Sequence, residues 1–502
     1  MPEARFALDP AFVVGAVNPR LFGSFVEHMG RCVYTGIFEP GHPSADPEGL
    51  RTDVLALIRE MGVTTVRYPG GNFVSGYNWE DGIGPKEKRP RRLDLAWRTL
   101  ETNQFGLDEF IRWCKKADSS PMMAVNLGTR GLQEACDLLE YSNHPGGTRL
   151  SDLRVANGSP APFAVPLWCL GNEMDGDWQT GHKTAAEYGR VAAETARAMR
   201  AIDPEIRLVA CGSSNSAMGT FAAWEATVLE ECYDVVDYVS LHAYYQDEDN
   251  DPGSFLASAV DMEYFIESVV ATCDFVGAKL KNRKRLELSF DEWNVWYFSS
   301  TGRSEDPLWA EVRSLAEDTY TVTDAVVVGS LLIALLRHCD RVTAASLAQL
   351  VNVIAPITTV PGGEVFRQTT FYPFAAASRF GRGQVLRVEP SGPSYSTARF
   401  GDVPLLHATA VQDEGGAVTV FAVNRSTSEP LEVDVDLRGL GDLGVAEHRV
   451  LADEDRLACN TAEYPGRVRP QQREGALVDG GRLTVTLPPV SWNVIRLLPR
   501  SR

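Results

Sequence analysis

The stretch PFAVPLWCLGNEMDGDW, residues 162–178, sets an apolar run against a turn built from Gly, Asn and Asp. An apolar run without polar alternation marks a strand covered on both faces, as in a parallel sheet flanked by helices. Gly171 and the polar turn residues after it end that strand, so Glu173 stands where the chain surfaces. Loops at strand ends are where chemistry is usually placed.

The same pattern recurs on both sides of this stretch. Eight β-rich runs are predicted, at 21–27, 63–69, 121–128, 167–173, 206–212, 238–244, 286–292 and 344–352, with helical patterns between them. TAAEYGRVAAETARAMRAID (184–203) is the clearest helix, with Thr184 and Glu187 forming a capping box and apolar residues repeating at three and four. DMEYFIESVVATCDFVGAKL (261–280) reads likewise. Eight such repeats from about residue 20 to 380 predict a (β/α)₈ barrel, with a doubly wound open sheet as the alternative that strand counting leaves open.

Beyond residue 381 the helical period disappears. LLHATAVQ (405–412), AVTVFAVNRS (417–426), LEVDVDLRG (431–439) and RLTVTLPPVSWNVIRLL (482–498) alternate apolar and polar residues between turns, which predicts a C-terminal antiparallel β-sandwich over 381–502. The segment 1–19 precedes the first barrel strand and has no helix of its own, so it is expected to add a strand to that sandwich.

Bulk properties narrow the partners. The chain has 502 residues, 67 of them acidic against 48 basic, for a formal charge of −19. That charge repels phosphate backbones and anionic membranes, so neither nucleic acid nor a membrane is expected as a partner. The longest apolar run, 325–336, lies between Asp324 and Arg337 and is too short to span a bilayer; it should be a core helix. The first residues carry no basic region followed by a long apolar core, so a cytoplasmic location is expected. Nine cysteines scattered without CxxC pairs read as free thiols, and the eight histidines form no HxH or HExxH spacing, so no metal and no cofactor are expected.

In (β/α)₈ enzymes chemistry gathers at the C-terminal ends of the strands. The residues that end the predicted strands are Glu27, Arg67, Asn172 with Glu173, His242 with Tyr244, Glu292 and Gln349, with Asn72 on the loop after the second strand. Two carboxylates in this set, Glu173 and Glu292, suit cleavage of a glycosidic bond, where one group must be protonated to donate and the other ionised to attack or direct water. The Asn172 amide could hold a sugar hydroxyl, Tyr244 could hold the nucleophile, and His242 is given a supporting role. Arg67 reads equally as a buried ion pair or as a partner of the nucleophile. Trp97, Trp293 and Trp296 offer flat apolar faces of the kind that pack on a sugar ring. Gly70-Gly71 lacks the spacing of a phosphate loop.

The segments RYPGGNFVSGYNWEDGIGP (67–85), RRLDLAWRTLETNQFGLDEF (91–110), LGNEMDGDWQTG (170–181), SLHAYY (240–245), DEWNVWY (291–297) and LAQLVNVIAPI (347–357) resemble those of glycoside hydrolase family 51, in order and at workable spacing. The resemblance implies an exo-acting α-L-arabinofuranosidase working by retaining double displacement on arabinose-containing oligosaccharides. It implies that Glu292 is the nucleophile and Glu173 the acid/base. It also implies that Glu27, Asn72, Asn172 and Gln349 bind hydroxyls, that Arg67 and Tyr244 surround the nucleophile, and that Trp97 and Trp296 wall the pocket. A homo-oligomer, a hexamer in this family, and independence from metals are implied as well. The stretch YSNHPGGT (141–148) departs from the family's more usual Cys-Asn-Gly turn. A retaining β-xylosidase, an endo-glucanase and a non-catalytic sugar-binding protein remain as alternatives.

Overall fold

The computed structural model describes residues 2–248, 250–301 and 304–500. Eight parallel strands close into a barrel: β1 (Gly23–Phe25), β2 (Thr65–Tyr68), β3 (Ser120–Ala124), β4 (Leu167–Leu170), β5 (Arg207–Ala210), β6 (Tyr238–Tyr245), β7 (Glu287–Val295) and β8 (Val342–Leu347). Each pairs with the next in sequence, and β8 returns to β1 through Ser346 opposite Gly23. This closure decides against the open doubly wound sheet.

The apolar run of β4 divides as a strand must, with side chains alternating between faces. Leu167 and Cys169 join Met122, Ala124, Val209, Tyr238 and Ala344 in a small core inside the barrel, while Trp168 and Leu170 pack outward under the helices. Both faces are buried, so no polar residue interrupts the run.

Helix α1 (Ala185–Ile202) begins at Thr184, whose hydroxyl accepts the Glu187 N–H. Its buried stripe of Tyr188, Ala192, Ala193, Ala196 and Met199 faces the barrel. The Tyr188 hydroxyl donates to the Leu170 carbonyl and accepts the Cys211 N–H, both at 2.7 Å, so this helix pins the ends of β4 and β5. Helix α2 (Val322–Arg337) contains the 325–336 run and is buried from Val322 to Leu336. A helix apolar all round must be enclosed, and α2 lies between the barrel and the C-terminal sheets, with Gly329 so close to the Trp492 ring that a Cβ would fall 2.3 Å from it.

The sandwich consists of a seven-stranded and a four-stranded sheet around a second apolar core. The N-terminal segment supplies two strands rather than one. Val13–Ala16 pairs antiparallel with Gln384–Leu386 in the larger sheet, and Glu3–Ala7 runs parallel to Leu431–Asp436 in the smaller. A short antiparallel hairpin, Ser394–Thr397 with Gly401–Pro404, leaves the sandwich toward the barrel. Stretch 141–148 joins the helices Leu132–Asn143 and Arg149–Ala156 on the outside of the barrel. All nine cysteines are free. Among the described residues no helix is long and apolar enough to cross a membrane.

Candidate functional site

The strand ends converge on one cavity of about 610 Å³, within the range that holds a small-molecule ligand. Glu27, Asn72, Trp97, Glu173, Tyr244, Glu292, Trp296 and Gln349 line it. Arg67, Asn172 and His242 lie one layer behind; Arg67 bonds Glu292, His242 bonds Glu173, and Asn172 accepts from Arg67. Trp293 does not belong to this set. It is fully buried in the layer between strands and helices, so its reading as a sugar platform is corrected: it precedes Trp296 by three residues along an extended strand and faces the other way.

One oxygen of Glu173, one of Glu292 and one ring nitrogen of His242 lie within 4.8 Å of one another. Glu292 is gripped at both oxygens: Arg67 donates to Oε1 and the Tyr244 hydroxyl to Oε2, each at 2.7 Å. The other arm of Arg67 donates to the Asn172 Oδ1 at 2.7 Å. The Arg67 Nε also lies 3.8 Å from the buried Asp291, while its planar fork spans Glu292 and Asn172.

Asp291 was missed by the sequence reading because adjacent residues of a regular strand face opposite sides. The ladder between β6 and β7 slips, with Ser240 opposite Ser289 but His242 opposite Glu292, and this bulge turns both carboxylates to the interior. His242, given only a supporting role from sequence, sits at the centre of the charges. Its Nδ1 is 2.9 Å from Glu173 and 3.6 Å from Glu292, and its Nε2 is 3.1 Å from Asp291. Burial alone would lower its pKa, but Glu292, Asp291 and Glu173 outweigh burial and push it up to about 10. His242 is then a cation donating to Asp291 and Glu173. Asp291 is held below the usual carboxylate range, because Arg67 and His242 overcome the cost of its burial.

Glu173 occupies left-handed backbone at φ 43°, uncommon for a residue with a side chain. This turn carries the carboxyl away from Asn172 and back over the barrel mouth, where Trp178 donates its indole N–H to Oε2 at 2.7 Å. Trp178 was also missed, although it lies within the opening stretch. Burial raises the Glu173 pKa and the neighbouring Glu292 raises it further, against the opposing effect of His242.

On the opposite wall Glu27 accepts the Phe73 N–H at 2.9 Å and the Trp97 indole at 3.0 Å, and Gln349 reaches it at 3.3 Å. Burial dominates and pushes Glu27 up to about 8. The buried Asn172 Nδ2 and Gln349 Oε1 have no hydrogen-bond partner among the described residues.

Gly70-Gly71 serves the site through its lack of side chains. A Cβ on Gly71 would lie 2.9 Å from the Glu292 Oε1 and 3.3 Å from the Asn172 Nδ2. Gly71→Ala is therefore expected to displace Glu292, lowering kcat by about 100-fold, the cost typical of misplacement near 1 Å, while thermal unfolding changes little.

Residues 57–261 match the family model described as Alpha-L-arabinofuranosidase 1 domain, and residues 291–491 match that described as Alpha-L-arabinofuranosidase C-terminal domain. The chain is 66% identical to the intracellular exo-α-(1→5)-L-arabinofuranosidase of Streptomyces lividans, over 99% of this chain and 75% of that protein. The chain belongs to the α-L-arabinofuranosidases of glycoside hydrolase family 51. This family 51 enzyme is also 52% identical to intracellular exo-α-(1→5)-L-arabinofuranosidase 1 of Bacillus subtilis, over the whole of both chains. Its fold is similar to that of a family 51 α-L-arabinofuranosidase from Bifidobacterium longum, with a TM-score of 0.95, 49% identity and 99% of each chain covered. It is a retaining glycoside hydrolase.

Proposed function

We propose that Glu292 attacks the anomeric carbon of a terminal α-L-arabinofuranosyl residue while Glu173 protonates the departing oxygen, and that Glu173 then acts as base for the water that releases arabinose. The observation that carries this reading is the approach of the two carboxyls to within 4.8 Å at their nearest oxygens. Retaining enzymes hold the pair at about 5–5.5 Å, and inverting ones need room for a water between them.

The surroundings suit the two roles. Arg67 and Tyr244 hydrogen-bond both oxygens of Glu292 and so fix the carboxylate in place for attack. The Tyr244 hydroxyl is held well above its usual pKa, first by burial and then by Glu292, and so remains a neutral donor. Burial, with Glu292 beside it, raises the Glu173 pKa, the direction a proton donor needs. Once Glu292 is esterified its charge is gone, the Glu173 pKa falls, and the same group can accept a proton from water. Asn172 Nδ2, Gln349 Oε1, Asn72 and Glu27 are placed to meet sugar hydroxyls, with Trp97 and Trp296 as walls.

The substrate proposed is an arabino-oligosaccharide derived from arabinan or arabinoxylan, cut from its non-reducing end at α-(1→5) linkages, as the names of the relatives suggest. A cytoplasmic, homo-oligomeric enzyme, hexameric as the family resemblance implies, completes the proposal; light scattering of the purified chain tests the assembly. The activity test is proton NMR of the wild type with 4-nitrophenyl α-L-arabinofuranoside and α-(1→5)-arabinobiose. The α-anomer of arabinose is expected first. Initial release of the β-anomer, or turnover of an aryl xyloside or soluble glucan in preference, would overturn the reading.

The His242 cation holds the Glu173 pKa down. Replacing it by Gln is expected to raise that pKa further, so the proton on Glu173 survives to higher pH. The alkaline limb of kcat/KM should then move upward relative to wild type, in a pH series with an aryl arabinofuranoside. A downward move would contradict the role assigned to Glu173.

A further inference from the structure

The cavity is larger than one pentose. Its inner half contains the residues assigned above to the terminal sugar; its outer half is lined by another set that includes Trp178, Phe298, Glu248 and Arg399. In an exo-acting enzyme the mouth of the pocket receives the leaving group; we propose that Arg399 of the C-terminal hairpin, paired with Glu248, binds the next neutral sugar of an unbranched oligosaccharide there and determines the specificity of that subsite. The inference rests on the reading of Glu173 and Glu292 as the catalytic pair.

Three observations carry it. First, an aromatic ledge runs outward from the nucleophile's partner Tyr244. Trp296 packs edge-on against it at 4.8 Å between ring centroids, and Phe298 lies against Trp296 at 4.4 Å and 32°. Phe298 is 47% exposed and Trp178, which hydrogen-bonds Glu173, is 48% exposed. Large aromatics left open at a cavity mouth provide faces for a sugar ring.

Second, the hairpin bearing Arg399 is fastened where it can reach this mouth. The Tyr395 hydroxyl donates to the Gly253 carbonyl at 2.8 Å, and the Arg399 N–H donates to the Ser254 hydroxyl at 3.2 Å. Both partners belong to the short helix Pro252–Leu256, which follows β6 and its loop. The hairpin thus positions a side chain over a barrel site more than 100 residues away in sequence from β6.

Third, the Arg399–Glu248 pair, at 3.1 Å, is about half exposed on each side, at 46% and 51%. Exposed pairs of this kind contribute little to folding. What the pair does provide is a fork of donors beside a carboxylate acceptor, a combination that grips the adjacent hydroxyls of a neutral sugar. A residue acting there binds the leaving portion, so it affects substrates that have a second sugar more than those that have an aryl group in its place.

The test compares kcat/KM on unbranched α-(1→5)-arabinotriose with kcat/KM on 4-nitrophenyl α-L-arabinofuranoside, for the full-length wild type, Arg399→Ala, Arg399→Lys and Glu248→Gln. The ratio of the two constants is expected to fall about tenfold in Arg399→Ala, the size of one lost charge-assisted hydrogen bond, with partial recovery in Arg399→Lys. Glu248→Gln, which keeps the shape of the mouth, should lower the ratio too and serves if Arg399→Ala does not fold. A ratio unchanged within twofold in the folded variants overturns the role of Arg399 and Glu248 while leaving the catalytic pair in place. A wild type inactive on both substrates would overturn the catalytic reading and the subsite together.

Discussion

Glu292→Ala is expected to lower turnover of 4-nitrophenyl α-L-arabinofuranoside by about 10⁴-fold or more, the scale seen when a covalent nucleophile is removed. The loss should be purely chemical. Arg67 keeps the Asn172 Oδ1 and the nearby Asp291, and His242 keeps Asp291 and Glu173, so no buried cation is left uncompensated. Thermal unfolding should move by only a few degrees. The alanine also opens space on the face of the sugar that Glu292 attacked. Azide entering there should restore slow turnover and yield the β-arabinofuranosyl azide, inverted relative to the substrate. Retained activity without azide, or an α-azide product, would assign the nucleophile elsewhere.

Glu173→Ala is expected to divide substrates by their leaving groups. An arabino-oligosaccharide departs as an alkoxide unless it is protonated, so its kcat/KM should fall by about 10³–10⁴-fold, near the upper end of what general acid catalysis contributes. A 2,4-dinitrophenyl arabinofuranoside departs without a proton, so glycosylation should stay close to the wild-type rate. Its hydrolysis step still lacks a base, and a burst of dinitrophenol followed by slow steady turnover is the expected trace. Azide should abolish the slow phase and give the α-azide, because it attacks the glycosyl-enzyme from the face that Glu173 guards. Equal losses on both substrates would leave Glu173 a structural role only. The opposite stereochemistry of the two azide products distinguishes the carboxylates without reliance on rates.

Much of the barrel was legible from residues near one another in the chain. The uninterrupted apolar run at β4, the capping box at Thr184 and the enclosed helix α2 are consequences of local pattern, and each formed where its pattern lay. The residues that end the strands were legible for the same reason, since a polar side chain after a buried run has to be placed at the barrel mouth. The sandwich was visible in the change of period after residue 381, although the pairing of the first 16 residues with both of its sheets was not.

The sequence by itself determined the eight strands and the polar residues at their ends, and with the family resemblance it named two carboxylates as a pair. Tertiary structure alone decided what surrounds them. Asp291 faces inward because the β6–β7 ladder slips by one residue, which depends on two strands meeting. His242 became the hub of three carboxylates because β4, β6 and β7 converge, and its charge follows from their summed field. Trp293 and Trp296 looked alike in the sequence and lie on opposite sides of the wall. Arg399 reaches the cavity only because a hairpin from the sandwich docks on a barrel loop. Local pattern records how each segment buries itself, whereas the electrostatics of a site are set by groups that no segment contains alone.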